Sequence, residues 1–259
     1  MAENSPSGRF VWYELMTTDL QAAQSFYTDV IGWSTAPFEQ SEVPYTLWMN
    51  GEAPVGGVMA LPQEACDQGA PPHWMAYFAV DDVDGTAKKA AKLGGKVVVE
   101  PRDIPDVGRF AILHDPQGAS IAIYRSEQEN PAIGEPQVGL FSWLEIATSD
   151  HEAALKFYSE LFGWKKTDAV DMGEMGTYQM YNKGDRMLGG MFNKSGDMPG
   201  PPAWLYYTRV EDIDETVEKV RAKGGQVMNG PMEVPGGDRI AQCMDPQGAV
   251  FAVHARNGG

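Results

Sequence analysis

The sequence predicts an α+β fold of two tandem domains, each made of two modules in the order strand, helix, strand, strand, strand. Three observations carry this. First, Phe10 to Trp33, FVWYELMTTDLQAAQSFYTDVIGW, returns without a gap as Phe141 to Trp164, FSWLEIATSDHEAALKFYSELFGW, a shift of 141 − 10 = 131. A repeat of that period is a domain, not a solenoid unit. Second, a weaker echo at a shift of 63 takes Asp19 to Asp82, Gly32 to Gly95 and Trp12 to Met75, so each domain is itself doubled. Third, hydrophobic periodicity changes from two to 3.6 at the same place in every module.

Residues 10–16 alternate apolar side chains on two faces and read as a strand covered on both sides. Asp19 reads as the N-cap of an amphipathic helix reaching about Ile31, with Gly32 suited to end it. Short strands are expected near 33–38, 45–50 and 54–60, and Pro62, Pro71 and Pro72 mark 61–73 as a loop. WMAYFAV from Trp74 begins the second module. Asp82 caps its helix, Gly94-Gly95 ends it, and strands follow at 96–100, 109–113 and 119–124. Asp115-Pro116-Gln117-Gly118 suits a type I turn between the last two. The second copy repeats every element, with its length changes in loops. The expected limits are a frayed, disordered tail at 1–9, domains at 10–125 and 141–256, and a linker at 126–140.

Composition narrows the function. The 259 residues are 43% hydrophobic and 22% charged, as expected for a soluble globular chain, and the net charge of −16 argues against nucleic acid or an anionic membrane surface as partner. No apolar run approaches the roughly 18 residues of a membrane span, and the first residues lack a signal core. Two cysteines at non-equivalent positions, Cys66 and Cys243, fit a reducing, cytoplasmic setting better than a disulfide framework. A monomer, with its two domains paired within the chain, and a homodimer are both compatible with the pattern.

The strand, Asp and helix ending in FY and GW, the HWMAYFAVDDVD stretch and the DPQG turn before the last strand together resemble the vicinal oxygen chelate superfamily. That group includes glyoxalase I, extradiol dioxygenases and bleomycin resistance proteins. The resemblance covers nearly the whole chain. It implies paired modules forming a partly open, mixed-sheet barrel around a cavity, and in metal-dependent members His, Glu or Gln ligands on the first and last strands. The ligand position seven residues before each helix-capping Asp falls here on Trp12, Met75, Trp143 and Leu205. The position seven after the Asp of the turn falls on Ala122 and Ala252. The remaining one falls within Gly56-Gly57-Val58 or Gly189-Gly190-Met191. None of these side chains is a ligand for a hard divalent metal. No cofactor is therefore expected, and the leading expectation is a metal-independent cavity that binds a small, partly hydrophobic molecule.

Residues two further along share the face of the lost ligands. These are Glu14, Tyr77 and Tyr124 in the first domain, and Glu145, Tyr207 and His254 in the second. A carboxylate in an apolar strand is costly without a partner. Glu14 and Glu145 are thus either polar anchors or general bases, or carboxylates bonded to a nearby Tyr hydroxyl or backbone N–H that hold the sheet. As bases they would serve a lyase, isomerase or dioxygenase-like reaction, with a metal at Glu145 and His254 as one variant. Trp12 and Trp143 either stack on a flat ligand or fill the interior, which would leave an interaction scaffold. Arg109 and Arg239 either meet an anion or pair with an acid of their own domain. His73, His114 and His151 have no equivalents in the other copy and read as solvated loop residues. The Gly pairs 56–57 and 189–190 read as close-packed strand positions.

Overall fold

The computed structural model describes residues 7–41, 43–128, 134–198 and 200–257. The first copy runs β1 (Phe10–Thr17), α1 (Leu20–Ile31), β2 (Ser34–Pro37), β3 (Tyr45–Asn50), β4 (Ala53–Ala60), α2 (Gln63–Asp67), β5 (His73–Ala79), α3 (Val83–Lys92), β6 (Lys96–Ile104), β7 (Gly108–His114) and β8 (Ser120–Ser126). The second runs β9 (Phe141–Thr148), α4 (His151–Phe162), β10 (Lys165–Asp171), β11 (Thr177–Lys183), β12 (Arg186–Asn193), β13 (Ala203–Arg209), α5 (Ile213–Ala222), β14 (Gln226–Glu233), β15 (Arg239–Met244) and β16 (Val250–Ala255). Each copy has one mixed sheet of eight strands, β2-β3-β4-β1-β5-β8-β7-β6 and its repeat β10-β11-β12-β9-β13-β16-β15-β14. Both are open rather than closed barrels. Within a module the last strand returns parallel to the first, with Glu14 opposite Gly57 and Glu145 opposite Gly190.

Local chemistry places the helices where the sequence puts them. The Asp19 carboxylate accepts from the backbone N–H of Ala22, Asp82 from Gly85, Asp150 from Glu152 and Ala153, and Asp212 from Asp214 and Glu215. Gly32 and Gly163 close α1 and α4 in the left-handed region, at φ 88° and 73°. The loop expected over 61–73 contains the short helix α2, started by Pro62, whose carbonyl accepts from the amides of Ala65 and Cys66.

Compactness divides the chain across the repeats. One unit holds the described residues of Met1–Val11, Met75–Gly134 and Trp143–Trp204; the other holds Trp12–Trp74, Glu135–Ser142 and Leu205–Gly259. Each unit therefore joins a module from each copy. The shared motifs explain how. In the second unit the Tyr27 hydroxyl, from the FY pair of α1, donates to Asp245 Oδ2 at 3.1 Å, and the Trp74 indole donates to Tyr27 at 2.9 Å. In the first unit Tyr158 of α4 donates to Asp115 Oδ2 at 2.9 Å. The other oxygen of each Asp accepts two backbone amides of its own DPQG turn, all at 2.9 Å. Burial pushes both aspartates above the usual carboxylate range, against these hydrogen bonds. The partner Phe of each pair lies against a glycine pair: a Cβ on Gly95 would stand 3.2 Å from Phe157, and one on Gly225 2.9 Å from Phe26.

The GW tryptophans act in the same way. Trp164 donates to the carbonyl of Gly8 and Trp33 to that of Gly139, both at 2.7 Å. The tail expected at 1–9 therefore stops short. Gly8 donates to Ala79 and Ala79 to Arg9, so residues 7–9 belong to the fold, while 1–6 lie outside the described residues. The expected linker is likewise trimmed at both ends. β8 continues to Ser126, and Gly139 and Leu140 exchange backbone bonds with Arg209; residues 129–133 are outside the described set. Indole donors in these tight sites fix the chain just ahead of β1 and β9.

Candidate functional site

The expected site residues divide between the two units. Trp12, Glu14, Leu205, Tyr207, Ala252 and His254 lie in one; Met75, Tyr77, Ala122, Tyr124, Trp143 and Glu145 lie in the other. Within the first unit Tyr77 stands opposite Ala122 in the β5–β8 ladder and meets Tyr124 edge-on at 6.4 Å. The Tyr124 hydroxyl donates to the carbonyl of Val107, and burial raises its pKa. Within the second unit Tyr207 stands opposite Ala252, and its hydroxyl accepts from the side-chain amide of Gln242 at 3.1 Å.

Glu14 is 7% exposed and Glu145 9%. Glu14 is held by a residue that the sequence reading missed. The Trp12 indole N–H donates to the Tyr45 hydroxyl at 2.9 Å, and that hydroxyl donates to Glu14 Oε2 at 2.9 Å. The direction is fixed by chemistry. An indole only donates and a carboxylate only accepts, so the phenol between them must do both. Burial pushes the Tyr45 phenol far above its ordinary range and the charge of Glu14 adds to this, keeping its proton in place. In the second copy Trp143 donates to Tyr178 at 2.8 Å.

The glycine pairs are what let these rings sit down. A Cβ on Gly57 would lie 2.1 Å from the Tyr45 hydroxyl, and one on Gly190 2.1 Å from the Tyr178 ring. A Cβ on Gly56 would lie 2.4 Å from the carbonyl oxygen of Tyr13, and one on Gly189 1.7 Å from that of Leu144. Tyr45 and Tyr178 were detectable by one signal, a common shift of 178 − 45 = 133, the same as that of the glycine pairs.

The remaining expectations settle individually. Arg109 pairs with Asp84 and Asp103, and Arg239 with Asp214, so both arginines are taken by acids of their own domain. His73 bonds the carbonyl of Pro71 and His151 the side chain of Asn193; both residues are half-buried. His114 is half-buried, and desolvation lowers its pKa. Cys66 and Cys243 are both free thiols.

His254 is bonded at both nitrogens, Nδ1 to Ser142 Oγ and Nε2 to Asp238 Oδ2, each at 2.9 Å. Both ring nitrogens of His254 are thus engaged by neighbouring side chains. Among the described residues no group of three or more His, Cys, Asp or Glu side chains could hold a metal ion. The apolar and indole side chains at the positions where the fold family ligates metal do not fit one.

Residues 9–123 and 140–253 each match the family model described as Glyoxalase/Bleomycin resistance protein/Dioxygenase superfamily. The chain belongs to this superfamily. Among its relatives is a protein of Mycobacterium bovis named "Putative glyoxylase CFP32", 35% identical over 93% of this chain and 92% of its own length. Another is the anthracycline biosynthesis protein DnrV of Streptomyces peucetius, 31% identical over 95% and 92%. Solved structures of the same fold include a Mn(II)-bound glyoxalase from Novosphingobium aromaticivorans, with TM-score 0.64, 16% identity, 96% of this chain and 82% of that one. A variant of homoprotocatechuate 2,3-dioxygenase from B. fuscum aligns with TM-score 0.67, 16% identity, 96% of this chain and 71% of that one. The superfamily fold is thus kept.

Proposed function

We propose that this superfamily member binds a small, partly hydrophobic molecule carrying a hydrogen-bonding group, and does so without a divalent cation. The observation that carries the reading is the hydrogen-bonded file Trp12, Tyr45 and Glu14, in which Glu14 is buried and the other two are half-buried. It sets a carboxylate, a phenol and an indole side by side at a position where metal-dependent members hold a cation. The repeated Trp143 and Tyr178 pair supports it, and the name of the Streptomyces relative, an anthracycline biosynthesis protein, makes anthracycline-like compounds a ligand class to try first.

Two measurements on protein purified without chelator test this. Manganese, iron, nickel and zinc are expected well below one per chain. Titration with 1,4-dihydroxyanthraquinone is expected to quench tryptophan emission saturably, less so in Trp12→Phe. A stoichiometric metal whose removal abolishes quenching overturns the proposal, and absence of any quenching favours the interaction scaffold. The enzymatic alternative, Glu14 or Glu145 as general base of a lyase, isomerase or dioxygenase-like step, is separated by Glu14→Gln and Glu145→Gln: turnover is lost while quenching persists.

A further inference from the structure

Three side chains from separate elements of the second unit converge at the second copy's closing strand. Ser142 lies in β9, His254 in β16, and Asp238 in the turn before β15. Ser142 Oγ is 2.9 Å from His254 Nδ1, and His254 Nε2 is 2.9 Å from Asp238 Oδ2. The His254 side chain is 15% exposed and that of Asp238 34%.

The array is built. Asp238 follows Gly236 and Gly237, both in the left-handed region, and a Cβ on Gly237 would strike Asn257 at 2.7 Å. The amide of Asn257 donates to Asp238 Oδ1 at 3.1 Å, and Val234 to the Asp238 carbonyl at 2.8 Å. The carboxylate is therefore fixed in place and aimed at the imidazole. Partial burial works against its ionised form, yet hydrogen bonds from His254 and Asn257 outweigh this and hold it below the usual carboxylate range.

The tautomer then follows. An ionised carboxylate only accepts, so the neutral imidazole carries its proton on Nε2, and Nδ1 presents a lone pair. Ser142 is the donor to that lone pair. Its other contact, to the carbonyl of Tyr207, is longer at 3.2 Å and is the alternative rotor position. The first copy has none of this: the equivalent positions are Val11, Tyr124 and Gly108.

We propose that Ser142, His254 and Asp238 form a nucleophilic centre confined to the second copy, accepting acyl groups from activated esters of small carboxylic acids. The Ser142 proton passes to His254 Nδ1 as Oγ bonds the acyl carbon, and the ester C–O bond breaks. The leaving alkoxide takes the proton from Nδ1. Water, deprotonated by the same nitrogen, then releases the acid and restores the hydroxyl. Asp238 acts as a positioning residue. The roles follow the nucleophile, base and orienting acid of serine hydrolases, with the two ring nitrogens exchanged. This centre stands independently of the metal-free binding site.

The test uses the full chain with phenylmethanesulfonyl fluoride and 4-nitrophenyl acetate. Peptide mass mapping is expected to place the sulfonyl adduct on Ser142, and Ser142→Ala to remove it along with nitrophenolate release. His254→Gln is expected to slow both reactions by roughly 100-fold. Asp238→Asn is expected to slow them at least tenfold with an unchanged thermal midpoint, which a purely structural role would lower instead. Absence of an adduct on Ser142 in the unaltered protein, or equal labelling in His254→Gln, overturns the proposal.

Discussion

At the scale of single residues, the tightest constraint is the contact between Tyr45 and Gly57. The phenol ring lies where a Cβ on Gly57 would be, 2.1 Å from the hydroxyl. Gly57→Ala is expected to force the ring off Glu14 and cost about 1–3 kcal/mol, read by urea denaturation. Tyr45→Phe keeps the ring and removes one donor from a buried carboxylate, so a similar loss of about 1–3 kcal/mol is expected without displaced packing. The free cysteines should behave differently from each other. Burial pushes the Cys243 thiol up to about 12, so it should resist iodoacetamide at pH 8 while half-buried Cys66 reacts. Alkylation of both at equal rates would show that β15 opens readily.

At the scale of elements, the helices depend on their caps. Asp19→Ala and Asp150→Ala each remove a carboxylate that accepts first-turn amides, so each should cost about 0.5–2 kcal/mol in denaturation experiments. These caps also show why the helices were legible in sequence. Asp before an amphipathic stretch and Gly after it are local signals whose partners lie within four residues. The strands were legible by period, and the glycine pairs by the oddity of Gly in a strand interior. The shift of 133 marks Tyr45 as repeated but not its bond to Glu14, which depends on the register of β3 against β4, shifted between Trp48 and Met49. Ser142 and Asp238 were hidden for the same kind of reason. Each is unremarkable in its own segment, and only the ladder of β15 with β16, Ile240 opposite His254, brings the turn to the imidazole. The helix α2 was missed because Pro62 was counted as a breaker, whereas at a helix start its missing N–H costs nothing.

At the scale of the whole molecule, Asp115 and Asp245 tie stability to pH. Their folded pKa values are raised from 3.8, chiefly by burial. The folded state therefore holds these protons more tightly than the unfolded one. The contribution is fully present below the unfolded value of 3.8 and is lost as pH rises through the folded values. The stability of the unaltered protein minus that of Asp115→Asn/Asp245→Asn should accordingly shrink as pH rises from about 4 to neutrality. A difference that grows over this interval would contradict the raised values. The opposite slope belongs to Asp84 and Asp214, whose arginine partners lower their pKa, but these are exposed and weakly weighted.

The motifs that mark the family in sequence, FY, GW and DPQG, join the modules of each compact unit. Each compact unit draws one module from either copy, held by Tyr27 on Asp245 in one and Tyr158 on Asp115 in the other. A chain cut between the copies should then yield two fragments that are each insoluble alone, yet regain native fluorescence when co-expressed, because every half carries the missing wall of the other.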